Sequence, residues 1–316
     1  MAEPIKVDSH VHMYRTAKEC QDDKDSYEVW EYGACDDVSM SELLGTVEDV
    51  LGAMQTAGVD KSIVLNLYMA DWTRTKYLSR LPDELSEKEH AKLAAEFDAQ
   101  QPEALMEFNR WGCRVSRDHP EIVSFVCTDV NVLSPEQGAA HVRDMVENEG
   151  ARGVKLHGAV QGYFMDDRRL WPVYEACRDL GVAVIGHSGP DTAGRGFAEP
   201  RAFAETLKAF PQVNFVLAHL GGGSWCQARE IAASFPNANF DCCEIVEWMN
   251  SEFGPSEWEL AQLISDVGAD RVMMGSDFPW YDMDHTIGRI LELPMLSDEQ
   301  KHGILGANAV RILGLE

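Results

Sequence analysis

Eight apolar, β-branched runs recur along this chain, and a segment of helical periodicity follows each one. The runs occupy residues 5–12, 59–67, 122–130, 153–157, 182–187, 213–219, 238–244 and 271–277. Their hydrophobicity is nearly continuous rather than alternating, which suits strands covered on both faces of a parallel sheet. Between the first two runs, residues 41–57 carry Leu43, Leu44, Val47, Val50, Leu51 and Met54 on one helical face, and Gly58 stops the helix. Further helices are expected over 86–117, 135–149 with Ser134 as cap, 170–180, 199–210, 225–235 and 257–267. A closing helix over 297–313 is announced by Ser297-Asp298-Glu299-Gln300. Strand–helix alternation repeated eight times predicts a (β/α)8 TIM barrel, whose chemistry sits at the C-terminal ends of the strands. A doubly wound open sheet normally uses fewer strands and gathers ligands at one switch point. The 316 residues contain no Pro/Ser-rich linker and no repeat, so one barrel domain over 1–316 is expected.

Two insertions interrupt the pattern. Residues 13–38 are acidic and aromatic, with Tyr14, Tyr27, Trp30 and Tyr32. Residues 69–120 carry Trp72, Arg74 and Lys76. Long segments on the catalytic face of a barrel serve as lids or oligomer contacts. The first reads as a lid and the second as part lid, part dimer surface.

Composition excludes several partners. With 53 Asp and Glu against 27 Lys and Arg, the net charge is -26. Such a surface repels phosphate backbones, so nucleic acid is not an expected partner. The N-terminal Met1-Ala2-Glu3-Pro4-Ile5-Lys6 has no apolar signal core, and no apolar run is long enough for a membrane span. The eight cysteines include no Cys-x-x-Cys pair. Reduced core thiols and a cytoplasmic location are expected. A homodimer is the default assembly.

Four of the runs end in side chains that bind metals. His10 and His12, two apart on a strand, face the same side. His187 ends the fifth run, across a barrel from the first, and Asp277 ends the eighth, beside the first. Three imidazoles and a carboxylate then hold one divalent cation with a position open for water. Zinc suits this set best; manganese, iron and cobalt are the alternatives. His219 precedes Gly221-Gly222-Gly223, where backbone or substrate approaches closely, and is assigned to polarising substrate or moving a proton. Cys242 and Cys243 have no adjacent His and read as core residues rather than nucleophiles.

These segments resemble the amidohydrolase superfamily. The likeness runs in order through His10-Val11-His12, Gly153-Val154-Lys155-Leu156-His157, Val184-Ile185-Gly186-His187-Ser188-Gly189, Leu217-Ala218-His219-Leu220-Gly221-Gly222 and Gly275-Ser276-Asp277-Phe278-Pro279, and ends at Gly306-Ala307-Asn308-Ala309. The similar branch is the one that includes aminocarboxymuconate semialdehyde decarboxylase. The resemblance implies metal ligands at His10, His12, His187 and Asp277 and a catalytic histidine at His219. It implies one ion. A two-ion site bridged by a carboxylated Lys155 is the alternative, as in binuclear relatives. With one ion, Lys155 and His157 contact substrate or support the ligands.

The expected reaction is hydrolysis of an amide, ester or lactone of a small, carboxylated molecule by metal-activated water, with Asp277 accepting and returning the proton. Non-oxidative decarboxylation of an aromatic or muconate-type acid on the same site is the rival reading. Lys155, Arg195, Arg74 and Arg15 are candidates for an anionic substrate group. Trp72, Tyr163, Phe164, Trp225, Trp248 and Trp280 are candidate pocket aromatics. A barrel without activity would show a broken ligand set, and this one is intact.

Overall fold

One parallel sheet carries the architecture, with its strands β1 (Val7–Val11), β2 (Lys61–Leu65), β3 (Ile122–Cys127), β4 (Gly153–Leu156), β5 (Ala183–Gly186), β6 (Phe215–Leu217), β7 (Ala238–Asp241) and β8 (Val272–Met273) hydrogen-bonded in chain order. This computed structural model describes residues 4–26 and 29–315. Residues 1–3 and Tyr27, which the sequence reading used, lie outside the described residues. The sheet closes through a parallel bridge between Val11 and Phe278. Ser9 N donates to Met274 O at 2.9 Å and Asp277 N to His10 O at 2.9 Å across the same seam. The chain is therefore a TIM barrel, with a helix before each new strand.

Side-chain alternation sorts the strands into two packed layers. Val64, Val126, Val154, Val184, Leu217 and Val272 point outward against the helices. Ile63, Phe125, Ile185, Val216 and Met273 point inward, where Ala309, Ile312 and Leu313 of the C-terminal helix Asn308–Leu313 plug the N-terminal end. β1 departs from strict alternation. Val7 belongs to the inner layer and Val11 to the outer one, and the register against β2 shifts between Asp8 and Val11. A one-residue slip turns every following side chain to the other face. The shift is what allows Val7 and His10 both to face the interior.

Helix boundaries differ from expectation where the chain has special backbone chemistry. The span 86–117 is two helices, Glu87–Asp98 and Gln101–Asp118, because Pro102 suits a first turn and lacks the N–H that a continuous helix needs. Residues 225–235 are α-helical only over Ala228–Ser234; the glycine-rich stretch before it turns through positive φ at His219, Leu220 and Gly221. The closing helix is interrupted by a π-type turn at Gly303–Ala307. The sequence reading did not foresee helices Ala70–Leu78 and Met283–Glu292. Among the described residues, no helix is long and apolar enough to cross a membrane.

Candidate metal and catalytic centre

The site begins with a close approach between the first and last strands. A Cβ on Gly275 would lie 2.7 Å from His10 Cβ, so only glycine lets this backbone pass. Asp277 follows with φ 59°, a left-handed conformation costly for a residue with a side chain. His219 (φ 61°) and Glu244 (φ 58°) share that strain. Three of these strained residues therefore meet at one end of the barrel.

Asp277 Oδ1 is buried and accepts no hydrogen bond among the described residues. It lies 3.3 Å from His12 Nε2 and 3.5 Å from His10 Nε2. A buried carboxylate oxygen left without a donor and faced by two imidazole nitrogens is the arrangement that a divalent cation satisfies. The other ring nitrogens are already engaged. His10 Nδ1 meets Asp241 Oδ2 at 3.0 Å, and His12 Nδ1 meets Leu65 O at 3.2 Å. Such partners fix the tautomer that leaves Nε2 free for a metal. Burial, reinforced by Lys155, lowers the pKa of His10 to about 3, and so keeps the ring neutral as a ligand must be. Burial raises the Asp277 carboxyl, but the imidazoles of His12 and His10 outweigh it and leave the group ionised.

The remaining predicted residues surround this pair. Lys155 Nζ lies 3.1 Å from His10 Nε2, and burial lowers its pKa. His187 stacks on His157 with ring centroids 3.9 Å apart, and its Nδ1 is 3.1 Å from His219 Nε2. Ligand atoms within 4.8 Å of one another form three groups among the described residues: His10–His12–Asp277, His219–Glu244–Asp277 and His10–His219–Cys243. His187 is in none of these groups but lines the same cavity. His219 Nδ1 faces Cys243 Sγ at 3.0 Å and Glu244 Oε2 at 3.5 Å. Its pKa is lowered by burial, against the pull of Asp277 and Asp241.

Sequence reasoning missed four residues here. Asp241 ties His10 to the backbone N–H of His219, which donates to its Oδ1 at 2.8 Å. Cys243, taken as core, is buried but touches His10 and His219. Glu244 stands behind His219. Glu31 reaches in from the first insertion, and Gly223 N donates to its Oε2 at 2.6 Å. The signal for Glu31 lay in the glycines: a Cβ on Gly222 would lie 2.4 Å from Glu31 Oε2. Burial raises the Glu31 pKa to about 7, against the Gly223 N–H.

A cavity of about 640 Å³ rises from this floor. Both insertions wall it, the first through Tyr14, Trp30 and Glu31, the second through Trp72 and Phe108. Of the candidate pocket aromatics, Trp72 and Trp280 line it. Tyr163 is buried with its hydroxyl on Gln161, and Trp248 bonds Tyr281; Phe164 and Trp225 are likewise outside the lining. The three arginines expected to hold an anion do not reach it. Arg74 pairs with Asp98, Arg15 lies over Phe108 and Trp111, and Arg195 lies over Phe197. Surface pairing and ring stacking satisfy those guanidinium groups outside the cavity.

The sequence profile of the amidohydrolase family matches residues 7–315. The chain belongs to the amidohydrolase family. This amidohydrolase is therefore a metal-dependent enzyme of that family, and its His and Asp cluster fits the metal requirement. It is similar to 2-amino-3-carboxymuconate-6-semialdehyde decarboxylase of Dictyostelium discoideum, at 26% identity over 211 residues. That match covers 57% of this chain and 58% of the relative. Among solved structures, an uncharacterized TIM-barrel protein from Bordetella bronchiseptica superposes with a TM-score of 0.68 at 18% identity, covering 98% of each chain. A 5-carboxyvanillate decarboxylase from Sphingomonas paucimobilis gives a TM-score of 0.66 at 16% identity, covering 99% of this chain and 100% of that one.

Proposed function

We propose that this amidohydrolase is a non-oxidative decarboxylase of a small aromatic or muconate-type acid. The observation that carries the reading is the orphaned Asp277 oxygen, faced by His10 and His12 at the floor of an aromatic-walled cavity. The likeness to a carboxymuconate semialdehyde decarboxylase supports decarboxylation over the hydrolysis expected from sequence. His10, His12 and Asp277, with His187 beside them, would hold one divalent ion, zinc or manganese by donor type. That ion would supply Lewis acidity, drawing electron density from a substrate oxygen.

The chain's own groups do the rest. Trp72, Trp280 and Phe108 exclude water and flank a flat substrate. The bond between the substrate carbon and its carboxylate breaks, its electron pair stays on that carbon, and carbon dioxide leaves. The carbon then takes one proton. His219 is the donor best supported for this step, since Cys243 and Glu244 hold its far nitrogen while Nε2 remains on the side of His187. Lys155 and His157 support the ligands and meet the substrate's oxygens.

The test is a panel of hydroxybenzoates, amides and lactones offered to the metal-loaded protein. Carbon dioxide released in step with loss of a hydroxybenzoate is the expected result. Acid release from lactones or amides, without carbon dioxide, would return the reading to hydrolysis.

A further inference from the structure

We propose that Glu31 selects the substrate by its far end. The cavity takes a molecule with one carboxylate at the His10–Asp277 floor and a neutral or cationic hydrogen-bond donor, a hydroxyl or amino group, against Glu31. This deepens the decarboxylase reading by narrowing its acids to those with a single carboxylate, which sets muconate-type diacids aside, and it rests on that reading for the orientation of the substrate.

The argument starts from the balance of charge. Seven carboxylates line the cavity, and Lys155 is the lone lysine or arginine among the described lining residues. Lys155 is buried at the floor with Nζ on His10, so it serves the end where the metal belongs. Among the described residues no lysine or arginine lines the walls. Two of the wall carboxylates are already committed: Asp191 accepts from the backbone N–H groups of Ala193, Arg195 and Phe197, and Asp129 from that of Asn131.

Glu31 differs from these. Its Oε2 is fixed by Gly223 N, and the missing side chains of Gly222 and Gly223 leave the space it fills. Its Oε1 takes no hydrogen bond among the described residues. The carboxylate is thus held rigidly with one acceptor free, beside Trp30 on the cavity wall. Such a group rewards a donor and rejects a second anion, because like charges brought together without a counter-ion are penalised. A substrate with two separated carboxylates has a partner for one of them and a repulsion for the other.

The experiment measures binding directly, by calorimetry or by quenching of the cavity tryptophans, on the metal-loaded protein at pH 8. The probes share a ring and one carboxylate and differ in the second substituent: 3-hydroxybenzoate, 3-aminobenzoate and isophthalate. The first two should bind at least about tenfold more tightly than isophthalate. Glu31→Gln should reduce that preference to within about threefold, mainly by admitting isophthalate. Glu31→Asp, which keeps the charge, should still exclude it. Equal binding of isophthalate to the unaltered protein, or a preference unchanged in Glu31→Gln at an unchanged melting temperature, overturns the proposal. The two readings fail separately. A preserved ranking with no carbon dioxide from any acid removes the decarboxylase and leaves Glu31 as the selector. Carbon dioxide released fastest from dicarboxylates does the reverse.

Discussion

At the N-terminal end of the barrel, Phe125, Ile185 and Met273 close on Ala309, Ile312 and Leu313. At the other end of the same cylinder, His10, Lys155, His219 and Asp277 are equally buried but polar. The first end is held by hydrocarbon packing. Gly153 is part of it, since a Cβ there would lie 2.0 Å from the Phe125 ring. The second end is held by a network in which Asp241, Cys243 and Glu244 brace two histidines. The contrast teaches that one end supplies stability and the other spends it: strained backbone at His219, Glu244 and Asp277 persists because the packed end over-determines the frame.

The largest expected effect tests the polar end alone. Asp277→Asn should cut turnover by about a thousandfold or more while the melting temperature changes little, since the charge is lost but the shape is kept. Steady-state rates beside a thermal melt check this; full turnover would break the contrast. Phe125→Ala probes the opposite end. It should destabilise the fold by about 3–5 kcal/mol through an unfilled cavity, read as a lower urea midpoint, with metal stoichiometry unchanged in the protein that remains folded. Asp241→Asn sharpens the role of the bracing groups. Metal affinity should fall about 10- to 100-fold, measured by competition with a chelator, because the Asn amide keeps one acceptor oxygen where Asp241 uses two, one on His10 Nδ1 and one on the His219 N–H.

The smallest effect is a pH dependence. Burial raises the pKa of Asp129 to about 6, from an ordinary value of 3.8. The folded state therefore binds this proton more tightly than the unfolded chain does. Stability from this group is present below about pH 4 and is lost as pH rises through about 6. Asp129→Asn removes that loss and should stabilise the protein by on the order of 1 kcal/mol at pH 8, with no gain below pH 4. Urea unfolding at the two pH values checks it; an equal effect at both would assign Asp129 a packing role.

The strand order and the identity of the floor were legible because they repeat simple patterns. Buried strands read as apolar runs, and His10-Val11-His12 fixes a common face by period alone. The shift in β1 that turns His10 inward beside Val7 left no trace in that period. β8 shrank to Val272–Met273 because the following Gly275-Ser276-Asp277 leaves the ladder to approach His10. The arginines misled because a charge in sequence carries no address. Arg74 found Asp98 at the surface, and Arg15 found aromatic faces.

By itself the sequence determined the barrel, the ends of its strands, and the imidazoles and carboxylate that gather there, because hydrophobic period and residue chemistry are local properties. Only the tertiary structure decided that Asp241, Cys243 and Glu244 brace those histidines, that Glu31 crosses to the glycines after β6, and that the cavity walls carry no lysine or arginine among the described residues. Those facts join residues as much as 233 positions apart, and such contacts exist only once the chain has closed on itself.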